Sequence, residues 1–185
     1  ARVEFLTIVK YIEKYLTSGA RILDVGAGAG EYSLHFARKG YQVSALELAD
    51  ANIAAFRAKI TADDQIDLVQ GNALDLSRYD SDSFDVVLLF GPLYHLYEKE
   101  DVQKSIDEAI RVTKPDGVIL VAFLSVYAIM FDNYLQGNLI AGIEENFTED
   151  YRIRHFEEQL FTGYDIVEFE NLFAEAKKLD YPYTI

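Results

Sequence analysis

The stretch RILDVGAGAGEYSLHFARKG, residues 21–40, decides the fold of this 185-residue chain. Its first five residues, RILDV, predict a buried strand because most of them are apolar. The glycines of GAGAG allow the backbone to turn sharply and let a ligand lie against bare main chain. Residues 30–39 then predict a helix that stops at Gly40. A strand, a glycine-rich turn and a helix in this order are typical of a βαβ unit.

The segments on either side of this stretch continue the alternation of strands and helices. Apolar periodicity predicts further strands at 41–47, 66–70, 84–90 and 118–124, and further helices at 3–17, 50–60 and 99–112. Short strands that alternate with longer helices indicate a parallel sheet. Because the strands are almost continuously apolar, helices should cover both faces of that sheet. We therefore expect an α/β fold with a doubly wound, mostly parallel sheet.

Local signals set the expected helix ends and buried helix faces. Gly19 is expected to end the first helix, Asp50 to cap the helix at 50–60, and Pro115 to end the helix at 99–112. Spacings of three to four residues predict the apolar faces of two helices. These are Val3, Leu6, Val9, Ile12 and Leu16 in the first helix, and Val102, Ile106, Ala109 and Val112 in the helix at 99–112.

The composition favours a globular enzyme and argues against several other classes of protein. Half of the residues are hydrophobic, which excludes global disorder. The chain has no cysteine for disulfides, thiolate zinc sites or cysteine nucleophiles. The longest apolar runs, FDVVLLF and VILVAFL, are far shorter than the roughly 20 residues of a membrane span. The opening residues lack the pattern of a secretion signal. We therefore expect a cytoplasmic location and no membrane partner.

The charge of the chain is strongly negative and unevenly distributed. The formal net charge is −14 and the isoelectric point is near 4.5. Residues 1–60 carry 8 basic and 6 acidic groups, whereas residues 61–185 carry 9 basic and 25 acidic groups. Such a surface repels phosphate backbones at long range, so we expect no nucleic-acid partner. Solubility is the simplest explanation of the excess acid.

Two carboxylates accompany the glycine turn. Asp24 precedes it, and Glu47 ends the next predicted strand, 19 residues beyond Gly28. Because the carboxyl ends of successive parallel strands lie side by side, Glu47 can face a ribose held over the turn. A dinucleotide site would need a third glycine at position 31, where this chain has Glu31. The carboxylates of Glu31 and Asp24 would repel a pyrophosphate, but they suit a ligand with an ammonium and a sulfonium. S-adenosylmethionine is such a ligand.

Five segments in order resemble the class I S-adenosylmethionine-dependent methyltransferases. They are ILDVGAGAG, the acid of ALELAD, QGNALDL, FDVVLLFGPLYHL and EAIRVTKPDGVILVAF. The resemblance covers roughly residues 20–124 and is closest to the small-molecule group that includes the ubiquinone-biosynthesis methyltransferases. It implies a Rossmann-like methyltransferase fold with a seven-stranded sheet whose last strand is reversed. We expect this chain to lack that last strand.

The resemblance also implies cofactor-binding positions for S-adenosylmethionine and its product, S-adenosylhomocysteine. In the family, the turn after the first strand holds the methionine portion. The residues of this chain that match that turn are Asp24, Gly26, Ala27, Gly28 and Gly30. Glu47 matches the acidic residue that binds the ribose. Leu48, Asn72 and Ala73 match residues beside the adenine, where the family usually has Asp at the position of Asn72. The wall beside the sulfonium matches Phe90 and Gly91. The alternatives are that Asn72 is only a turn residue and that Phe90 belongs to the core.

The loop GPLYHL, residues 91–96, follows the fourth strand at the end where open α/β sheets place substrates. Tyr94 and His95 are therefore the candidate catalytic residues, since a histidine titrates near neutral pH and can accept a proton. Alternatively, His95 caps a helix or packs in the loop. Methyl transfer needs a base only when the acceptor must lose a proton. We expect no metal, because neither His35 nor His155 belongs to a cluster with ligand spacing.

The chain is expected to form a single domain over residues 1–185. The cofactor-binding core should span residues 18–124, a substrate or lid insertion residues 125–163, and a terminal helix and strand residues 164–185. The pattern also allows a strand at 152–161 and the start of a sixth strand at 179–185. Aromatic residues of the stretch 125–161 either line the substrate pocket or pack on the sheet. Because the chain does not begin with Met, we expect it to be a fragment.

A basic cluster in the second half and the function of the chain both have alternative explanations. Arg152, Arg154 and His155 form a basic cluster that either meets an anionic substrate or neutralises Glu157 and Glu158. The favoured function is a methyltransferase that acts on a small-molecule acceptor by in-line displacement. One alternative is a non-catalytic, methyltransferase-like module that binds the cofactor or a partner protein. An NAD(P)-dependent oxidoreductase is disfavoured by Glu31. The sequence leaves the oligomeric state open.

Overall fold

The computed structural model describes residues 2–131 and 163–173. It divides the chain into two compact units, each of which is described by itself. The first unit comprises residues 1–92 and 107–122, and the second comprises residues 93–106 together with the described residues from 123 onward.

The first unit is built on a five-stranded sheet. Its strands are β1 (Arg21–Val25), β2 (Gln42–Glu47), β3 (Ile66–Gln70), β4 (Phe84–Leu89) and β5 (Thr113–Val121), in the spatial order β3-β2-β1-β4-β5. All four neighbouring pairs are parallel. The chain therefore runs outward from β1 to β3 and returns to the other side of β1 with β4. This order confirms the predicted doubly wound α/β fold. In such sheets, ligands bind at the carboxyl ends of the strands where the order reverses, which here are those of β1 and β4.

Helices pack against the sheet because its strands are apolar on both sides. The helices α1 (Arg2–Glu13), α2 (Glu31–Ala37) and α3 (Asp50–Arg57) contribute to two clusters with strand residues of one face. The alternate residues of these strands, whose side chains point to the opposite face, are buried as well. The second face of the sheet is therefore also covered. The buried residues of the first face include Ile22, Val43, Ala45, Val86 and Leu88, and those of the second face include Leu23, Val25, Leu46, Val87 and Leu89.

The helix α4 (Lys99–Val112) has the predicted bounds, and all four residues of its predicted apolar face are buried. The boundary between the two units falls inside α4, after Ile106. The second unit also contains β6 (Leu124–Ser125), α5 (Val126–Met130), β7 (Gly163–Tyr164) and α6 (Ile166–Asn171), with β6 and β7 paired in parallel. The rings of Phe123 and Phe169 stack at 4.0 Å in this unit. The hydroxyl of Tyr164 donates to the carbonyl of Leu93 at 3.0 Å.

The predicted face of α1 is partly wrong. The helix ends at Glu13, well before Gly19, and Val3 and Leu6 are exposed. Phe5 and Ile8 pack on the core in their place, together with Val9 and Ile12. Both sets have helical spacing, so periodicity alone could not choose between them. Leu16 still packs on the same cluster, although it lies beyond the end of the helix.

Two other predicted helix signals also act differently. Ala49 occupies the N-cap of α3 and makes no side-chain cap hydrogen bond. Asp50 is the first helical residue, and its carboxylate accepts a hydrogen bond from Nε2 of Gln70 at 2.8 Å. Pro115 lies three residues beyond the end of α4, inside β5, which begins at Thr113 rather than at residue 118. The register between β4 and β5 shifts between Phe84 and Val86, and a proline tolerates such an irregularity because it lacks an N–H.

Several predictions lie outside the described residues. These are the strands at 152–161 and 179–185, the basic cluster of Arg152, Arg154 and His155, and most of the aromatic stretch. Within residues 2–131 and 163–173, no helix combines the length and the apolar character needed to cross a membrane.

Candidate functional site

The glycine turn between β1 and α2 is fixed by its own backbone hydrogen bonds. The N–H groups of Gly26 and Ala27 both donate to the carbonyl of Leu46, at 2.8 and 3.0 Å. The N–H of Gly30 donates to the carbonyl of Ala27 at 2.9 Å. The turn is thus attached to the end of β2 and closed on itself, so its shape does not depend on a ligand.

Glu47, at the end of β2, ties the same turn down with its side chain. Its Oε2 accepts a hydrogen bond of 2.7 Å from the N–H of Gly28. Its Oε1 accepts from the N–H of Ala49 at 2.9 Å and from Nδ2 of Asn52 at 3.2 Å. The residue is only 6% exposed. Three donors therefore hold the carboxylate in one orientation beside the turn.

Asp24 is a second buried carboxylate at this site. It is 2% exposed, and its Oδ2 accepts a hydrogen bond of 2.6 Å from the hydroxyl of Ser33 on α2. Burial raises the pKa of Asp24 to about 6, because the charged carboxylate loses its hydration. The hydroxyl of Ser33 opposes this rise in pKa, and the negative charge of Glu47 adds to it. The turn therefore lies beside two carboxylates whose mutual repulsion a cation would relieve.

Two glycines of the turn serve different purposes. A Cβ atom added to Gly28, whose φ is +56°, would have no atom within 4 Å, so open space borders this residue. A Cβ atom added to Gly30 would lie 2.2 Å from the ring of Phe56, so this glycine is required for packing. The open side of the turn at Gly28 is where a ligand could contact bare main chain.

Gly91 approaches the same turn from the end of β4. A Cβ atom on Gly91 would lie 3.3 Å from the carbonyl oxygen of Gly26. The preceding residue, Phe90, is half-buried, and its ring meets the ring of Tyr32 edge-on at 5.2 Å. Phe90 also packs on the main core cluster, as its alternative interpretation predicted. The residue therefore belongs partly to the core, and its predicted place beside the sulfonium stays a prediction.

The predicted adenine residues lie at the carboxyl ends of β2 and β3. Leu48 follows Glu47 and is 61% exposed. The N–H of Gly71 donates to the carbonyl of Glu47 at 3.0 Å, which joins the ends of these two strands. Oδ1 of Asn72 accepts a hydrogen bond of 3.0 Å from the N–H of Leu74, so Asn72 does form a turn. Ala73 is buried. The contact of these residues with adenine stays a prediction.

Tyr94 and His95 follow β4. Tyr94 is the last residue of a short 3₁₀ helix, Pro92–Tyr94, and His95 comes directly after it. Their rings lie 4.9 Å apart, Tyr94 is half-buried and His95 is exposed. Both residues belong to the second unit, whereas the glycine turn belongs to the first. Their predicted place beside the methyl-transfer site stays a prediction.

Glu31 does not act as the sequence suggested. Its carboxylate is exposed and pairs with Nζ of Lys59 at 2.6 Å. Nζ of Lys59 also donates to the carbonyl of Ala29 at 3.0 Å. Because Lys59 compensates its charge, Glu31 is a weaker obstacle to a pyrophosphate than we expected. The hydrogen bonds of the turn provide a stronger obstacle, since the N–H groups of Gly26, Ala27, Gly28 and Gly30 already have acceptors within the chain.

Three residues that contact this site were missed by the sequence analysis. They are Ser33, Asn52 and Lys59, which bond to Asp24, Glu47 and Ala29, respectively. Of these three, only Ser33 could have been singled out from the sequence, because it is a polar residue among apolar neighbours in the helix after the turn. The contacts of Asn52 and Lys59 depend on how α3 packs, which the sequence does not specify.

Comparison with known protein families gives a match over this part of the chain. The model of a family described as a methyltransferase domain matches residues 23–121, which is just over half of the 185 residues. The match begins within β1 and ends with β5, so it covers every strand of the five-stranded sheet.

Individual proteins with related sequences are methyltransferases by name. The demethylmenaquinone methyltransferase of Clavibacter sepedonicus is 35% identical over 108 residues, which cover 58% of this chain and 42% of that protein. The ubiquinone biosynthesis O-methyltransferase of Maricaulis maris is 34% identical over 110 residues, which cover 58% of this chain and 41% of that protein. The chain thus spans about half the length, or less, of the curated relatives that it matches.

A solved structure supports the fold. The crystal structure of a SAM-dependent methyltransferase from Methanosarcina mazei has a TM-score of 0.68 and 21% identity. The superposition covers 89% of this chain and 82% of that chain. At this identity, the likeness shows the Rossmann-like methyltransferase fold alone.

Proposed function

This chain belongs to the methyltransferase domain family, and we propose that it uses S-adenosylmethionine to methylate a small-molecule acceptor. The observation that carries this proposal is the pair of buried carboxylates, Asp24 and Glu47, beside a glycine turn that is open at Gly28. The open space at Gly28 lets a ligand approach the main chain, and the carboxylates favour a ligand that carries positive charge.

The residues of the site fit this cofactor in charge and in hydrogen bonding. Asp24 would attract the ammonium of the methionine portion, since the pair of carboxylates creates a negative potential at the turn. Glu47 would accept hydrogen bonds from the ribose hydroxyls, because each carboxylate oxygen has two lone pairs and, among the described residues, Oε2 accepts a hydrogen bond from Gly28. The exposed side chain of Leu48 would gain an apolar partner in the adenine ring.

A dinucleotide cofactor fits the same site less well. A pyrophosphate is held by free backbone N–H groups at the turn before the helix. In this chain, four N–H groups of the turn donate to carbonyl groups or to Glu47 instead. A pyrophosphate would also lie close to two buried carboxylates. These features support the methyltransferase proposal over the oxidoreductase alternative.

The chemistry that the cofactor supplies is a methyl group activated by a neighbouring sulfonium. The chain would contribute mainly by orienting the acceptor and excluding water, and such positioning can account for about 7–11 kcal/mol of the barrier. Phe90 and Gly91 are proposed to form the wall beside the sulfonium. Tyr94 and His95 are proposed to orient the acceptor or to remove its proton.

A small-molecule acceptor is supported by the relatives that this chain resembles. The two curated relatives described above are named for demethylmenaquinone and for ubiquinone biosynthesis, both of which involve small molecules. The acidic net charge of −14 is consistent with an acceptor other than nucleic acid. We keep a cytoplasmic location as part of the proposal.

A thermal-shift screen tests the cofactor directly. The chain is melted with S-adenosylmethionine, S-adenosylhomocysteine, NAD or NADP at equal concentrations. We expect the first two to raise the melting temperature, because a ligand that binds only the folded state stabilises it. Stabilisation by NAD or NADP alone would contradict the proposal. Formation of S-adenosylhomocysteine with a panel of metabolites would then distinguish an enzyme from a module that only binds the cofactor.

A further inference from the structure

Ser33 is almost completely buried and is hydrogen-bonded to Asp24, one of the predicted cofactor positions. It lies on the first turn of α2, its residue is 1% exposed, and its hydroxyl donates to Oδ2 of Asp24 at 2.6 Å. Leu34, Phe36 and Ala37 of the same helix are also buried. A serine at a position with such neighbours costs free energy unless its hydroxyl is bonded. The hydrogen bond to Asp24 satisfies it.

The carboxylate of Asp24 needs such a donor. A buried carboxylate tends to take up a proton, and a hydrogen bond to its charged form opposes that tendency. Glu47 is the charged group that acts on Asp24, and its negative charge also favours the protonated form. At the start of α2, Glu31 forms an exposed ion pair with Lys59, so the two charges compensate each other. The hydroxyl of Ser33 lowers the pKa of Asp24, as the backbone N–H of Ser33 also does, and thereby favours the charged carboxylate.

We propose that Ser33 is a positioning residue of the cofactor site, whose hydroxyl keeps the Asp24 carboxylate charged and oriented for the ammonium of the bound cofactor. This inference rests on the proposed function, since it assumes that the cation contacts Asp24. It adds a residue that no motif of the sequence singled out. Ser33 acts through Asp24 and does not touch the cofactor itself.

The proposal has a consequence for the pH dependence of binding. The pKa of Asp24 is raised to about 6, so its carboxylate loses its charge when the pH falls through this value. The affinity for S-adenosylhomocysteine, which keeps the ammonium, should fall over the same range. Without the hydroxyl of Ser33, the carboxylate should lose its charge at a higher pH. The variant should then bind more weakly than the wild-type chain at pH 6.5 and almost normally at pH 8.5.

The experiment is a calorimetric titration with S-adenosylhomocysteine from pH 5 to pH 8.5. It compares the wild-type chain with Ser33→Ala, which removes the donor, and Ser33→Cys, which puts a larger and weaker donor in the same place. We expect the midpoint of the affinity loss to shift upward by about one pH unit in Ser33→Ala, equivalent to about a fivefold loss of affinity at pH 6 and about a tenfold loss well below pH 6. The shift in Ser33→Cys should have the same sign and be smaller.

The matched control is Ser105→Ala. Ser105 is also a buried serine on a helix, and its hydroxyl has no hydrogen-bond partner among the described residues. This variant should bind with the wild-type pH profile. A profile shifted as much as that of Ser33→Ala would mean that loss of any buried hydroxyl has this effect, and it would overturn the proposal.

A second readout does not need the cofactor. Nuclear magnetic resonance can follow the titration of the Asp24 carboxyl carbon in the ligand-free chain and in Ser33→Ala. An upward shift of the midpoint in the variant supports the role of Ser33, and an unchanged midpoint overturns it. If S-adenosylhomocysteine fails to bind the wild-type chain at every pH, the proposed function is wrong. If it binds and Ser33→Ala leaves the pH profile unchanged, only the inference about Ser33 is wrong.

Discussion

The N–H of Gly28 donates a hydrogen bond of 2.7 Å to Oε2 of Glu47, a residue 19 positions later in the chain. This bond joins the middle of the glycine turn to the end of the neighbouring strand. It means that the residue proposed to bind the ribose also shapes the turn proposed to bind the methionine portion. The site is therefore organised before a ligand arrives, which reduces the cost of ordering it on binding.

Replacing Glu47 by alanine should weaken the binding of S-adenosylhomocysteine by about 1.5–3 kcal/mol, the range for hydrogen bonds to a charged group. The chain should also lose stability, because three donors at 2.7–3.2 Å would lose their acceptor. Calorimetry and thermal melting measure the two effects. Asp67→Ala is the control, since Asp67 is an exposed acid that pairs with Arg78, and it should bind normally. Unchanged affinity in Glu47→Ala would contradict the ribose assignment.

Gly28→Val should abolish cofactor binding and leave a folded chain. The added side chain would enter open space rather than the protein, and the positive φ of 56° should cost about 1–2 kcal/mol of stability. Gly30→Ala is the informative comparison, because its Cβ atom would meet Phe56 at 2.2 Å and should lower the melting temperature clearly. Circular dichroism and calorimetry check both variants. Wild-type affinity in Gly28→Val would show that the turn serves structure alone.

Asp24→Asn should stabilise the ligand-free chain at neutral pH while weakening cofactor binding. Because the pKa of Asp24 is raised from 3.8 to about 6 in the folded chain, its protonated form stabilises the fold below pH 4, and this contribution is lost as the pH rises through 6. The lost contribution amounts to about 3 kcal/mol, and the uncharged Asn would not lose it. Urea unfolding between pH 4 and pH 8 measures the difference. A difference between variant and wild type that does not depend on pH would count against this account.

His95→Ala and Tyr94→Phe should lower turnover with little change in cofactor affinity. If His95 removes a proton from the acceptor, the rate should fall by about 10²–10⁴-fold and the pH profile should change. If either residue only orients the acceptor, the loss should be smaller and the profile should keep its shape. Steady-state kinetics with an identified acceptor make the distinction. Normal turnover by the double variant would reject a role in catalysis.

The elements of the sheet were predictable from the sequence because their signals are strong and local. The strands 21–25 and 66–70 and the helix 99–112 have their predicted bounds. The predicted strand at 118–124 begins five residues after the observed start of β5 at Thr113. Pro115 and Gly117, which lie in this first part of β5, are residues that usually indicate the absence of a strand. Proline and glycine usually interrupt strands, and only the register shift against β4 makes room for them here.

The candidate site was predictable to the extent that it follows from strand order. Asp24, Gly28 and Glu47 converge because the ends of neighbouring parallel strands lie side by side. The partners of these residues were not predictable, because Ser33 and Asn52 depend on how two helices rotate over the sheet. Likewise, the ion pair of Glu31 with Lys59 depends on the packing of the segment after α3. Because of this ion pair, Glu31 repels a pyrophosphate less strongly than its sequence position suggests.

The most direct test of the central claim is a crystal structure of the chain with S-adenosylhomocysteine. We predict that the ligand lies along residues 24–30, with the ribose hydroxyls about 3 Å from the carboxylate of Glu47. The ammonium should lie on the side of Asp24, and the adenine should contact Leu48. A ligand bound elsewhere, or one whose ribose hydroxyls do not approach Glu47, would contradict the account.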